Sequence, residues 1–388
     1  MPTTRAARAA ARAVARLLIE SPSDVLGLVL YQLPLAHDIA RTGLTCHALC
    51  DAAKLALKAR PFSGEVVMLT HGSTCVAAAP DGRIITGSLD NTIKVWRDGT
   101  CERDIQDVEG FEVVGADRLQ GAHAGDVNTV AVLPCGTRVV SGSCDCTVRL
   151  WTLGGALERS FKVGSKAFCI AALPDGVHFA VGTSGPTREV GFAGGAWLYH
   201  DGEVRMYHVD GTLVHTFKGH TGYVWAVAVT PDGQHVISGS GDRLVKVWSV
   251  STKSLVSTCA GHTEVVDEEY CDGVHAVAAM PDGKRFLSGA ADKTVRVWRL
   301  NGTHQNTFDL HTRLVNALVA LPDNQHALSG SKDKTVKLFN VNNGAVLRTF
   351  THHTSGVDCL ALLPDGLRFV SGSWNDTARI VYHGLAPH

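Results

Sequence analysis

Short runs in which hydrophobic and polar residues alternate at period two follow one another along most of the chain, separated by turn residues. The stretch from Gly219 to Trp248 shows the pattern: the runs AVAVT and HVISG flank Pro231-Asp232-Gly233, and LVKVW follows Gly241-Asp242. Such alternation is typical of strands with two different faces, and the residues between the runs favour tight turns. We predict a three-stranded antiparallel meander, which needs neighbours to bury its faces.

The same pattern recurs seven times along the chain, marked by an aspartate with an aromatic residue six positions later. These pairs are Asp90 and Trp96, Asp145 and Trp151, Asp201 and Tyr207, Asp242 and Trp248, Asp292 and Trp298, Asp333 and Phe339, and Asp376 and Tyr382. In five copies a hydroxyl residue stands four positions before the aspartate: Thr86, Ser141, Ser238, Ser288 and Ser329. In six copies a histidine lies upstream: His71, His123, His220, His262, His311 and His353. Self-similarity of this kind is the signature of a repeat architecture.

Three copies depart from the pattern: the third, the sixth, whose aromatic residue is Phe339, and the last. In the third copy Trp197 stands at the hydroxyl offset and no upstream histidine is present, so we expect Thr183 to supply the hydroxyl, with an insertion after it. In the last copy either one residue is inserted, or Asn375 takes the aspartate place and Val381 the aromatic place.

Over about Gly64 to Tyr382 the sequence resembles the WD-repeat β-propeller family. The resemblance implies an all-β fold of seven four-stranded blades over residues 64–388, each blade holding a buried hydrogen-bonded chain of His, Ser or Thr, Asp and Trp. A buried aspartate needs donors, and a histidine N–H supplies one. The best networks are expected at His220-Ser238-Asp242-Trp248, His262-Ser288-Asp292-Trp298 and His123-Ser141-Asp145-Trp151. Phe339 cannot donate, so its blade is expected to be looser.

A hydrolase triad would use the same residue types. The set recurs in most copies and the sequence shows no nucleophile elbow, which favours a structural role and a protein that is not an enzyme.

The repeats also predict where strands lie outside the meanders. A fourth strand follows the third in TLVHTF, KSLVST and AVLRTF, but the last copy leaves no room for one. We infer that the run from Glu65 to Leu69 completes the seventh blade and closes the ring, which would hide exposed strand edges. The acidic residues 101–107 are expected to form a solvated loop.

Two insertions, Thr183 to His200 and Asp267 to Asp272, open on the entrance face of the central channel by propeller geometry. Either these insertions have no function, since surface loops tolerate added residues at little cost, or they shape a binding surface. The residues that begin the inner strands point into that face: Thr74, Asn128, Phe168, Trp225, His275, Asn316 and Asp358. Clustered exposed aromatic residues are typical of interface anchors. We therefore predict a partner-binding surface formed by Lys166, Phe168, Tyr223, Trp225 and His275.

Two other interpretations of this face stay open. Trp225 could pack into its blade instead. The basic turn residues Lys293, Lys332, Lys334 and Arg243 could form a phosphate pocket, although basic turns are usual in this repeat.

The first 60 residues do not belong to the repeats. Residues 1–20 are rich in Ala and Arg, which is typical of a transit peptide or of a helical extension. Residues 21–60 have helical spacing and resemble an F-box, which implies docking on the Skp-type adaptor of a cullin–RING ubiquitin ligase. The residues implied in the hairpin core and the adaptor contact are Pro22, Val25, Leu26, Val29, Leu30, Leu33, Pro34, Ile39 and Leu44. A helical cap on the propeller is the alternative.

Composition narrows the function classes. The formal net charge of −1 argues against a nucleic-acid binder, which usually carries a basic excess. No apolar run is long enough to span a bilayer. Eleven cysteines without a CxxC pair indicate reduced thiols in the cytoplasm or nucleus, with neither a zinc site nor another cofactor.

These observations together predict a non-enzymatic interaction module that is monomeric by itself. The main hypothesis is an F-box/WD-repeat substrate receptor, which recruits a partner protein or peptide on the entrance face to a ubiquitin ligase. The alternative hypothesis is a WD-repeat scaffold with no ubiquitin role.

Overall fold

The computed structural model shows a β-structure in which one kind of four-stranded sheet is repeated. The structure describes residues 67–97, 100–105, 123–192, 195–263, 272–373 and 377–385. Within these residues the strands form seven four-stranded antiparallel sheets and one two-stranded sheet. The fold is therefore the predicted seven-bladed β-propeller.

Four consecutive strands, running from the inner to the outer edge, form each regular blade. Blade one contains β2 (Cys75–Ala78), β3 (Ile84–Gly87), β4 (Ile93–Arg97) and β5 (Thr100–Ile105). Blade two contains β6 (Val127–Val132), β7 (Arg138–Ser143), β8 (Thr147–Thr152) and β9 (Leu157–Lys162). Blade four contains β16 (Val224–Val229), β17 (His235–Ser240), β18 (Val245–Ser249) and β19 (Leu255–Cys259). Blade five contains β20 (Val274–Ala279), β21 (Arg285–Ala290), β22 (Val295–Arg299) and β23 (His304–Phe308). Blade six contains β24 (Val315–Ala320), β25 (His326–Ser331), β26 (Val336–Asn340) and β27 (Val346–Phe350).

Blades three and seven are assembled differently. Blade three contains β10 (Ala167–Ala172), β11 (His178–Thr183), β14 (Glu203–His208) and β15 (Leu213–Lys218). Between its second and third strands, β12 (Thr187–Phe192) and β13 (Gly195–His200) form the separate two-stranded sheet. Blade seven contains β28 (Cys359–Leu362), β29 (Arg368–Gly372) and β30 (Thr377–Tyr382), with β1 (Val67–Gly72) as its outer strand. β1 and β30 pair antiparallel, with Val67 opposite Ile380.

Burial follows the position of a strand within its blade. Second strands such as β17 are buried along almost their whole length because neighbouring blades cover both faces, whereas outer strands such as β27 are exposed. This explains why the acidic stretch after residue 100 is not a loop as predicted: Thr100–Ile105 is the outer strand of blade one and pairs with β4. An outer strand tolerates charges because one side of it meets solvent.

The hydrophobic core lies between adjacent blades. One cluster joins Ile237 and Val247 of blade four to Phe286 and Trp298 of blade five. Buried thiols also connect neighbouring blades. The Sγ of Cys169 in blade three lies 3.5 Å from the carbonyl oxygen of Val224 in blade four. Cys75 and Cys359 make equivalent contacts to the next blade at 3.6 Å.

Strand register decides two ambiguous repeat positions. In blade seven Phe369 lies opposite Val381, as Val236 lies opposite Trp248 in blade four, so Val381 takes the aromatic place without an insertion. In blade three the prediction for Thr183 is wrong. The residue equivalent to Ser238 is Val181, and Thr183 corresponds to Ser240 two residues later.

Candidate functional site

Blade four contains the predicted polar network in full. The Nδ1–H of His220 donates to Oδ2 of Asp242 at 2.8 Å, and Nε2 accepts from the hydroxyl of Ser238 at 2.8 Å. The same hydroxyl oxygen accepts from Nε1 of Trp248 at 2.8 Å. Backbone N–H groups of Thr221 and Leu244 also donate to the carboxylate at 3.0 Å. Every polar group of this chain is satisfied, which is what a buried network needs to be stabilising.

Blades two and five repeat this network with nearly identical distances. The carboxylates of Asp145 and Asp292 lie 2.9 Å from His123 and His262, and the indoles of Trp151 and Trp298 donate to Ser141 and Ser288. Burial opposes ionisation of Asp292, but hydrogen bonds from His262 and Thr294 and the coulombic effect of His262 lower its pKa to about 2. Burial lowers the pKa of His123, which keeps this imidazole neutral. The three networks are confirmed as blade architecture.

Blade six keeps the network except for its aromatic donor. His311 lies 2.8 Å from both Asp333 and Ser329, as in the complete blades, and Phe339 is fully buried in the aromatic place. These distances do not show the looser blade that the missing donor led us to expect.

Blade three replaces the network with apolar residues and an ion pair. Val163 and Val181 occupy the histidine and serine places and are buried. Arg205 pairs with Glu203 at 2.6 Å and donates to the carbonyl of Val163. Replacing both partners of a hydrogen bond by apolar groups costs little, so this blade needs no polar chain.

Where the inner strands of blades three to five begin there is a continuous row of rings, which we call the aromatic row: His200, Phe168, Tyr223, Trp225 and His275. The ring centroid of Phe168 lies 5.5 Å from that of Tyr223 and 4.7 Å from that of Trp225. Tyr223 and Trp225 are 5.1 Å apart, and His275 stacks on Trp225 at 5.3 Å. All five side chains are half-buried, so the row is packed together yet still reaches solvent.

The equivalent positions on three other blades are used differently. Asn128 donates to the carbonyl of Ala167 in the next blade at 2.9 Å, Thr74 donates to Val127 at 2.6 Å, and Asn316 donates to Val357 at 3.2 Å. These polar side chains link neighbouring blades. Trp225 makes no such link: among the described residues its Nε1 is buried without a hydrogen-bond partner. The position in blade four is therefore not used for a hydrogen bond between blades.

Four glycines allow the backbone beneath the aromatic row to pack closely. A Cβ on Gly202 would lie 2.1 Å from the carbonyl oxygen of Gly222, and a Cβ on Gly222 would lie 2.7 Å from the amide nitrogen of Asp242. A Cβ on Gly273 would lie 2.4 Å from Cα of Gly241, whose own Cβ would meet Nε1 of Trp225 at 3.3 Å. Blades three, four and five therefore approach one another at this point through bare backbone.

The ends of both insertions lie next to the row. His200, the last residue of β13, stacks on Tyr223 with centroids 4.5 Å apart and an interplanar angle of 27°. Asp272, at the end of the second insertion, lies 3.5 Å from Arg243. Neither His200 nor Asp272 was predicted to be a binding residue. The only sequence signal was that each residue ends an insertion beside an aromatic inner strand.

The predicted basic residues are arranged less specifically. Lys166 is exposed, and its carbonyl accepts from the N–H of Ser184 at 3.1 Å. Lys332 forms an ion pair with Asp358 at 2.6 Å, and Arg243 faces Asp272, so two of the four residues suggested for a phosphate pocket already have acidic neighbours.

The F-box-like segment lies outside the described residues. This applies to each predicted adaptor contact: Pro22, Val25, Leu26, Val29, Leu30, Leu33, Pro34, Ile39 and Leu44. Within the described ranges no group of three or more His, Cys, Asp or Glu side chains could hold a metal ion. The same ranges contain no helix with the length and apolar character of a membrane span.

Comparison with known proteins identifies related sequences over the repeats. Cilia- and flagella-associated protein 52 of Sus scrofa is 24% identical over 236 residues, which cover 58% of this chain and 33% of that protein. WD repeat-containing protein 1 of Bos taurus is 24% identical over 218 residues, which cover 54% of this chain and 30% of that protein. The chain thus spans about a third of the length of these curated relatives.

The WD40 model, described as WD domain, G-beta repeat, matches residues 65–97, 117–152, 211–249, 253–299, 302–340 and 344–381. Most of blade three, which lacks the polar network, falls between two of these matches. Because the six matches cover more than half of the chain and each spans the three inner strands of one blade to within one residue, the protein is a member of the WD40-repeat family.

Proposed function

We propose that the chain is a non-enzymatic scaffold that holds a protein partner, or a peptide segment of one, on the entrance face of its propeller. The aromatic row carries this proposal. Tyr and Trp are enriched at the anchors of protein interfaces, and here both lie in one half-buried cluster with Phe168. The partner-binding residues are Lys166, Phe168, Tyr223, Trp225 and His275, to which we add His200.

The contrast with the other blades supports a binding role over a packing role. Asn128, Thr74 and Asn316 show that a polar residue at this position can link two blades directly. Trp225 forgoes that link and leaves its own N–H unpaired among the described residues. A half-buried aromatic ring that makes no hydrogen-bonded link between blades is more typical of an interface anchor than of a packing residue.

A scaffold role is supported better than the ubiquitin-ligase role that residues 21–60 suggested. The family matches lie between residues 65 and 381, and the names of the two relatives given above refer to cilia, flagella and WD repeats. Binding of a Skp-type adaptor remains a prediction from the sequence of residues 21–60. A cytoplasmic or nuclear location and a monomeric state are likewise predictions.

The test is to identify proteins that co-purify with the full-length chain and with its Trp225→Ala variant. We expect at least one partner to be lost or reduced about tenfold, since truncating a central aromatic anchor typically costs 1–2 kcal/mol or more. Tyr382→Ala is the matched control, because Tyr382 is also half-buried but contacts Arg368 in blade seven. Partners that bind both variants equally well would refute the role of the row.

The adaptor hypothesis needs a separate arm of the same experiment. A scaffold keeps its partners when residues 1–60 are removed or Leu30 is changed to Asp. A substrate receptor would keep its substrate but lose a Skp-type adaptor in both variants. Recovery of that adaptor with the full chain, and its loss in both variants, would favour the receptor over the scaffold.

A further inference from the structure

The hairpin inserted in blade three forms a two-stranded sheet of its own. β12 and β13 pair along their full length, from Thr187 opposite His200 to Phe192 opposite Gly195. Within the described residues neither strand pairs with any other strand. The outer edge of each strand therefore presents a row of backbone N–H and C=O groups, which is a template for pairing with another extended segment.

The base of the hairpin is fixed on the propeller. The N–H of Asp201 donates to the carbonyl of Pro186 at 3.2 Å and joins the two ends of the hairpin. Gly185 has φ of +64°, and a Cβ there would lie 1.7 Å from the carbonyl oxygen of Asp201, so no other residue fits. The stacking of His200 on Tyr223 ties the end of β13 to blade four. A fixed base gives the edge a defined position beside the aromatic row.

The two edges differ in their protection. Natural proteins protect exposed edges with charged residues or proline. β12 contains Arg188 and Glu189, whereas β13 reads Gly-Ala-Trp-Leu-Tyr-His and contains neither a Lys, Arg, Asp or Glu residue nor a proline. β13 is also the strand whose last residue contacts Tyr223, so its edge leads into the row.

We propose that β13 receives an extended, uncharged segment of the partner protein as an added strand, whose side chains then contact the aromatic row. This inference rests on the proposed function and specifies its mode of recognition. Main-chain hydrogen bonds to β13 supply affinity that is independent of sequence, and the rings select apolar side chains. An uncharged segment fits because a charge beside the half-buried rings would lose hydration without a partner.

The experiment uses a peptide selected from a library of short random sequences displayed on phage, with the full-length chain as the target. Once synthesised, the peptide is N-methylated on its backbone in two series that cover alternate residues. In an added strand only alternate N–H groups pair with the edge, so one series should bind about tenfold more weakly and the other should be almost unaffected. Hydrogen exchange at alternate amides of Gly195–His200 should slow when the peptide binds.

Two matched variants test which edge is used. Glu189 and Leu198 lie directly opposite each other in the hairpin, so a lysine at either place puts a positive charge at the same level. Glu189→Lys also removes a negative charge and so changes the net charge more than Leu198→Lys does, which makes it the stricter control. Leu198→Lys should weaken peptide binding by about tenfold, because charge on an edge strand opposes the addition of another strand. Glu189→Lys should leave binding within about twofold, since it changes the other edge.

The outcomes separate this inference from the proposed function. Peptides that need Trp225 but bind equally in both N-methyl series, or leave the exchange of β13 unchanged, would overturn strand addition and leave the entrance-face function standing. Peptides that bind the Trp225→Ala variant equally well would count against the function itself. Protection of β13 in the free chain together with dimer formation would assign the edge to a second copy and refute the proposal, as would failure to select any peptide.

Discussion

Removal of the hydroxyl of Ser238 tests whether the polar network stabilises its blade. Ser238 is fully buried, and its hydroxyl accepts from the indole of Trp248 and donates to His220. Ser238→Ala leaves both of these buried groups without a partner. Each unpaired group costs about 1–3 kcal/mol, so we expect the free energy of unfolding to fall by about 2–6 kcal/mol.

The assay is urea denaturation followed by tryptophan fluorescence, at neutral pH and after reversibility has been established. Ser254→Ala is the control, because Ser254 is an exposed serine of the same blade and its removal should change the free energy by no more than about 0.5 kcal/mol.

A double variant makes the reasoning sharper. Trp248→Phe removes the indole donor, as Phe339 does naturally in blade six. In Ser238→Ala combined with Trp248→Phe no indole N–H is left unpaired. The loss of unfolding free energy in the double variant should therefore be smaller than the sum of the losses in the two single variants. A loss below about 0.5 kcal/mol for Ser238→Ala, or strict additivity in the double variant, would refute the role assigned to the hydroxyl.

Three further predictions concern other parts of the propeller. Gly202→Ala places a Cβ against a carbonyl oxygen of blade four and should lower the free energy of unfolding by about 1–3 kcal/mol. Gly154→Ala is the control and should be nearly neutral, because its Cβ meets only a side-chain oxygen at 3.5 Å. Equal stability of the two variants in urea denaturation would contradict this prediction. We propose that β1 closes the ring, so a chain without residues 1–72 should melt at a lower temperature and aggregate more in size-exclusion chromatography than one without residues 1–64, and indistinguishable behaviour would disprove closure. The pKa of Asp292 falls from 3.8 to about 2 on folding, so its contribution to the free energy of unfolding is complete above about pH 4 and is lost between pH 4 and 2. The urea midpoint should therefore depend less steeply on pH in this range in Asp292→Asn than in the unchanged protein. An unchanged pH profile would contradict this.

The parts of the fold that could be predicted from sequence are those in which a residue type at fixed spacing has one physical explanation. His220, Ser238 and Asp242 recur in register with sister copies, so their network follows from the need to satisfy buried polar groups. Most residues of the aromatic row could be predicted for a similar reason, because the position of each turn proline shows which residue begins the inner strand before it.

The sequence-based predictions failed at positions where the repeat pattern is absent and backbone geometry alone decides the structure. Thr183 was assigned by residue type, but strand pairing puts Val181 in that place because blade three has no polar chain to complete. The contact between His200 and Tyr223 depends on a tight approach at Gly185, and the sequence contains no spacing rule for it. The strand β5 was missed because an exposed outer strand can carry charges and then resembles a loop.

The pairing of β1 with β30 has a consequence for the time at which the propeller can assemble. Synthesis proceeds from the amino end, so β1 leaves the ribosome before the other strands of the propeller, while its partner β30 is the last of these strands to be made. Pairing between strands so distant in sequence is slow, because a very large loop must close before any contact rewards it. Blade seven is therefore the last to form, and until then the unpaired edges of β1 and of the growing chain are the segments most in need of protection by chaperones.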